Sequence, residues 1–145
     1  MDHPTLSCVL LADRHHGLSE GVRGLLETAF AGVFMVADEA SLMEGAARLR
    51  PSVVVVDVSL AAGDIISLLG GIRDRAPAAK VLLLSVHDEP TVASAALAAG
   101  ADGLVLKRAI STDLLAAVKD VLAGKRYVSP GVTAPSSRPR AAVSK

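Results

Sequence analysis

The chain has 145 residues, enough for one compact domain with a real core but too few for two. It is 51% hydrophobic and 21% charged with a formal net charge of zero, which excludes a disordered polyelectrolyte and any global attraction to nucleic acid or an acidic partner. Only 2% of residues are aromatic, so Val, Leu, Ile and Ala must build the core, and the lone Cys8 rules out an internal disulfide.

In chain order, short β-branched or leucine-rich runs alternate with segments of helical period. Residues 6–12 read as a strand, 18–29 as a helix and 33–37 as a second strand. Ser41 can cap a helix through residue 50, supported by Glu44 in a capping box and stopped by Pro51. In "SVVVVD" the unbroken valines imply a central parallel strand buried on both faces. A helix over 64–75 follows, then the strand "KVLLLS", a helix over 89–99 ended by Gly100, the strand "GLVLK", and a last helix capped by Thr112 through residue 123.

Five β-α units in strict alternation demand right-handed crossovers and helices on both faces of a parallel sheet. The expected fold is therefore α/β, a doubly wound (βα)5 flavodoxin-like sandwich of strand order 2-1-3-4-5. Helices one and five should cover one face, and helices two, three and four the other. The domain is expected over 1–130. Residues 131–145, rich in Pro, Ser and Ala without apolar period, read as a disordered tail or the start of a linker, with no stable packing from about Ser136 onward. No apolar run reaches the length of a membrane span, and the N-terminus lacks the basic flank and apolar core of a signal peptide, so the expected location is cytoplasmic, away from membrane.

Asp13, Asp57, Ser85 and Lys107 each fall at the carboxyl end of a strand, the first, third, fourth and fifth. In a sheet of this order, strands one and three flank the topological switch point, where ligands bind outside the strand ends. Two carboxylates, a hydroxyl and an ammonium converging there suit phosphoryl transfer. A carboxylate can become an aspartyl phosphate, a cation can neutralise developing charge, and Lys and Ser can hold phosphoryl oxygens.

From residue 6 to about 130 the sequence resembles the receiver domain of two-component response regulators, in the LuxR-type flavour. "VVVVDVSLAAGD" is similar to the phospho-acceptor strand and loop, "LLLSVHDE" to the strand carrying the switch hydroxyl, "GADGLVLK" to the lysine strand and "VLAGKRYVSP" to the end of the last helix. The resemblance implies Asp57 as phospho-acceptor, Ser85 and Lys107 as its partners, and Mg²⁺ held by Asp13, Asp57 and the backbone carbonyl of Ser59. It also implies a histidine kinase or phosphotransfer protein as donor, and a possible homodimer. Nothing beyond phosphoryl acceptance and slow self-hydrolysis is expected, so the chain is not read as an enzyme. Direct DNA binding is not expected, because no recognition-helix pattern follows the receiver and Lys125, Arg126, Arg138, Arg140 and Lys145 read as solubilising charge.

The departures are specific. Such receivers usually carry two adjacent acids after strand one, whereas here Arg14 follows Asp13. Leu60, Ala61 and Ala62 replace Met-Pro-Gly, Leu104 stands where an aromatic is usual, and Val86 follows the switch hydroxyl where a small residue is common. Arg14 removes an oxygen ligand and adds a positive charge. At about 4 Å and an effective dielectric near 20, a guanidinium on Asp57 is worth about 4 kcal/mol before desolvation, yet offers no Lewis-acid polarisation. Either Arg14 pairs with Asp57, or it points to solvent and leaves the ion to Asp13, Asp57 and Ser59. A degenerate receiver, working as a phosphorylation-independent binding or dimerisation module, is the alternative reading. His15 and His16 suit surface or capping roles better than a hard cation, and His87 and Asp88 should shape the loop after Ser85.

Overall fold

A computed structural model of the chain describes residues 8–14, 16–61 and 63–133. Among them, six parallel strands form one sheet in the order β2-β1-β3-β4-β5-β6. The strands are β1 (Cys8–Ala12), β2 (Gly32–Val36), β3 (Val53–Asp57), β4 (Lys80–Ser85), β5 (Gly103–Leu106) and β6 (Tyr127–Val128). The helices are α1 (His16–Glu27), α2 (Glu39–Leu49), α3 (Ile65–Arg75), α4 (Pro90–Ala98), α5 (Ile110–Leu122) and the short α6 (Pro130–Thr133).

The valine run behaves as its composition demands. All five residues of β3 are buried, with β1 on one side and β4 on the other. Successive side chains of a strand point to opposite faces, so the sheet sorts its own core. Leu10, Val54, Val56, Leu83 and Leu104 pack with Leu42 of α2, Leu68 and Ile72 of α3 and Ala96 of α4. Val9, Leu11, Val53, Val55, Leu82, Leu84 and Val105 pack with Val22 and Leu26 of α1 and Leu114 and Val118 of α5. Each buried Leu or Val is worth about 1.5–3 kcal/mol of transfer free energy. The two faces are those the alternation requires, α1 and α5 on one and α2, α3 and α4 on the other.

Local ends differ from expectation in three places. The first turn of α2 is capped by Asp38, whose Oδ1 accepts from the Ser41 amide at 2.7 Å, so Ser41 lies inside the helix. Both residue types cap well, and the carboxylate one turn earlier also complements the helix dipole. The helix ends in Arg50, left-handed at φ 45°, just before Pro51. Helix α5 begins at Ile110 rather than after Thr112, whose hydroxyl donates back to the Ala109 carbonyl at 3.1 Å.

The third difference is β6. It adds to β5 in parallel, with Tyr127 beside Gly103 and Val128 beside Leu104. Helix α6 follows against α4, burying Val132 in the core on the α2–α4 face. Packing thus continues to Val132, two residues past the boundary expected at 130. The remaining stretch of the expected tail, 134–145, lies outside the described residues, as do His15 and Ala62.

Candidate functional site

Strand register brings the polar residues together. Ala12 lies beside Val56, so the next residues along, Asp13 and Asp57, follow neighbouring strands into the same crevice. Asp57 lies beside Leu84 and Ser85 beside Leu106, which places Ser85 and Lys107 one strand and two strands further along the same edge. Asp13 is 4% exposed, Asp57 2% and Ser85 1%, at the ends of strands whose other residues are mostly apolar. A cavity of about 220 Å³ is lined by Asp57, Val58, Ser59, Ser85, Val86, His87 and Lys107.

Asp57 is engaged through both oxygens. The Lys107 ammonium donates to Oδ2 at 2.6 Å, and the Ser59 amide donates to Oδ1 at 3.1 Å. Burial alone would push the Asp57 carboxyl up, but the Lys107 and Ser59 hydrogen bonds and the lysine's charge hold it below the usual carboxylate range. It stays ionised, as a nucleophile or metal ligand must. Ser59 belongs to a tight turn, Val58–Ala61, which wraps back over the strand end and buries Leu60 and Ala61 where the Met-Pro-Gly of similar receivers would fall.

Ser85 is in place but otherwise occupied. Its Oγ accepts from the His87 amide at 2.9 Å and donates to the His87 carbonyl at 3.3 Å, closing a small turn after β4. His87 therefore shapes the loop, and Asp88 joins it to the end of β5 through Arg108 at 3.2 Å. Val86 is 66% exposed at the cavity mouth, whereas Leu104 is wholly buried. Arg14 is exposed, and Asp57 forms an ion pair with Lys107.

Among the described residues no cluster of three or more His, Cys, Asp or Glu gathers anywhere. A cation at the strand ends would rest on Asp13, Asp57 and a backbone oxygen. Two nearly buried carboxylates suit a hard ion such as Mg²⁺, which keeps several waters and takes few protein ligands. Sequence reasoning missed Ser129 and Asp113, which hold the backbone beside Lys107. Their only signal in the sequence is a serine between an apolar pair and a proline in "YVSP" and an acid in the first turn of the last helix.

The family model for the response regulator receiver domain matches residues 9–119. The transcriptional regulatory protein DegU of Brevibacillus brevis is 31% identical over 127 residues, covering 86% of this chain and 54% of that protein. A crystal structure of a LuxR-family two-component response regulator from an Aurantimonas species superposes with a TM-score of 0.82 at 30% identity, covering 94% of this chain and 99% of the other. RcsB of Salmonella enterica serovar Typhimurium, solved bound to a promoter in the presence of a phosphomimetic, gives a TM-score of 0.78 at 27% identity, covering 92% of this chain and 67% of the other.

These relatives correct one expectation. Partners were expected to stop at a kinase or phosphotransfer protein and a second copy, without DNA. DegU is a transcriptional regulator and RcsB is bound to a promoter, and this chain spans only about half of DegU's length. Its balanced charge describes the shared portion alone and cannot decide whether such regulators meet DNA. No helix among the described residues is long and apolar enough to cross a membrane. With the doubly wound parallel sheet, the polar crevice at its switch point and a match over 9–119, the chain belongs to the response regulator receiver domain family.

Proposed function

We propose that this chain is a phospho-accepting receiver of LuxR type, in which Asp57 takes a phosphoryl group from the phosphohistidine of a kinase or phosphotransfer protein. The observation that carries the reading is the environment of Asp57: a nearly buried carboxylate, ionised by Lys107 at 2.6 Å and oriented by the Ser59 amide, with the Ser85 hydroxyl in the same cavity. In the step itself, an Asp57 oxygen attacks phosphorus as the bond to the donor nitrogen breaks, and the imidazole leaves with the electron pair.

Lys107 then moves from the carboxylate to a phosphoryl oxygen. Ser85 donates to the phosphoryl group by giving up its proton's bond to the His87 carbonyl, so acceptance is coupled to rearrangement of the loop after β4. Asp13, Asp57 and the Ser59 carbonyl would hold Mg²⁺, which would supply positive charge to offset that of the transferred phosphoryl group. Beyond acceptance and slow hydrolysis of its own aspartyl phosphate, the chain is not an enzyme. Its output is transcriptional, as the relatives' names suggest, and a cytoplasmic setting fits that output.

The test is incubation with a small acyl phosphate and Mg²⁺, followed by mass mapping. One phosphoryl group should appear at Asp57 and none in Asp57→Asn. A chain that stays unlabelled by both the acyl phosphate and a phosphorylated kinase would instead be the phosphorylation-independent binding module.

A further inference from the structure

Both chain neighbours of Lys107 lie against one short piece of chain, residues 127–133, and the backbone of one of them, Leu106, is hydrogen-bonded to it. Ser129, wholly buried, sits where β6 ends and α6 begins. Its amide donates to the Leu104 carbonyl at 3.0 Å, continuing the ladder on β5. Its hydroxyl accepts from the Leu106 amide at 3.0 Å and donates to Asp113 Oδ2 at 2.9 Å. With β6 already finished, a side-chain oxygen takes the place of a strand carbonyl, and Asp113 fixes its rotamer.

On the other side of Lys107, Gly131 lies so close that a Cβ there would stand 3.0 Å from the Arg108 guanidinium and 3.1 Å from Leu106 Cδ1. Arg108 in turn reaches Asp88 in the loop that follows Ser85. Leu106 and Arg108 thus bracket Lys107, and each touches the same segment. A lysine reaches a 2.6 Å contact through a long, flexible stem, so its backbone must be fixed for the ammonium to be poised.

Building on the phospho-acceptor reading, we propose that Ser129 is a positioning residue for Lys107, acting through the Leu106 amide and locked by Asp113. The segment that leads onward from the domain is then mechanically joined to the phosphoryl-holding ammonium. A pull on residues 127–133 displaces Lys107, and a change at Asp57 is felt at the point where the chain leaves the sheet.

The experiment compares the full chain with Ser129→Ala, Asp113→Leu and Asp113→Asn. Lysine dimethylation by formaldehyde and cyanoborohydride is followed by mass spectrometry well below each melting point, with exposed Lys119 and Lys125 as internal references. Ser129→Ala and Asp113→Leu should raise the Lys107 rate severalfold while the references stay level, and both should slow acyl phosphate labelling at Asp57. Asp113→Asn keeps an acceptor oxygen for Ser129 and should restore the Lys107 rate. If Lys107 reacts at the unmodified chain's rate in both disruptive variants, or if all lysines accelerate together, the brace does not exist. Failure of the unmodified chain to accept a phosphoryl group would overturn only the phospho-acceptor reading, since the methylation ratio needs no phosphate.

Discussion

Lys107 Nζ lies 2.6 Å from Asp57 Oδ2, an ion pair between side chains only 14% and 3% exposed. Taking one partner away leaves a charge in a dry crevice, the costly way to break such a pair. Lys107→Met should therefore destabilise the domain by about 3 kcal/mol, the low end for a buried pair because the lysine keeps some solvent. Urea denaturation of the two single variants and of Lys107→Met with Asp57→Asn should give a coupling energy of about 1–3 kcal/mol. Additive single effects would mean that the pair holds no stability.

Acid sensitivity should centre on caps as well as on the site. Asp38 and Asp64 accept from the amides of Ser41 and Ser67, and those hydrogen bonds hold both carboxyls below their ordinary value. A carboxyl depressed on folding stabilises above its unfolded pKa and loses that contribution as pH falls through its folded one. Stability should decline below the usual carboxylate range. Asp38→Asn with Asp64→Asn keeps both cap oxygens but cannot titrate, so its melting temperature should fall less steeply with acid.

Much of this was legible in the sequence because strands report their burial and strand ends report their chemistry. The valines of β3 announced a central strand, and once five strands were placed, Asp13, Asp57, Ser85 and Lys107 had to meet at one edge. What escaped was short or long-range. Two residues carry no period, so Tyr127–Val128 could not be read as a strand. The bond from Ser129 to Leu106 spans 23 positions and depends on β6 being there. Asp38 and Ser41 are both good caps, and only the way the chain leaves β2 selects between them.

Arg14 is exposed beside the nearly buried Asp13, and its charge opposes a cation at the strand ends. A unit charge pair about 4 Å apart in water is worth about 1 kcal/mol, so Arg14→Asp, a two-unit change next to a divalent ion, should raise Mg²⁺ affinity roughly tenfold or more. Isothermal titration and the rate of mass labelling at Asp57 should rise together. Equal values in the two chains would mean that solvent screens Arg14 completely.

Gly103 permits the close approach of β6. A Cβ at this position would meet Leu82 Cδ1 at 2.8 Å and the Tyr127 carbonyl oxygen at 2.9 Å, and the second of these is backbone. Gly103→Ala should push β6 away from β5, lowering amide protection at Tyr127 and Ser129 in hydrogen exchange and costing about 1–3 kcal/mol through overpacking. Unchanged protection at both amides would show that the sheet absorbs the methyl.

The brevity of β6 also limits how far the sheet can grow. An open strand edge is a template for the next chain, and the β5 side would expose four core residues with their ladder groups if β6 were absent. Two residues of β6 cover that edge, and Pro130, which has no N–H to offer, turns the chain aside before a third pair can form. An incoming strand therefore finds almost no ladder to join on this side. Shortening the chain ahead of Tyr127 should therefore uncover the β5 edge to strand pairing, which light scattering would read as growth that the full chain does not show.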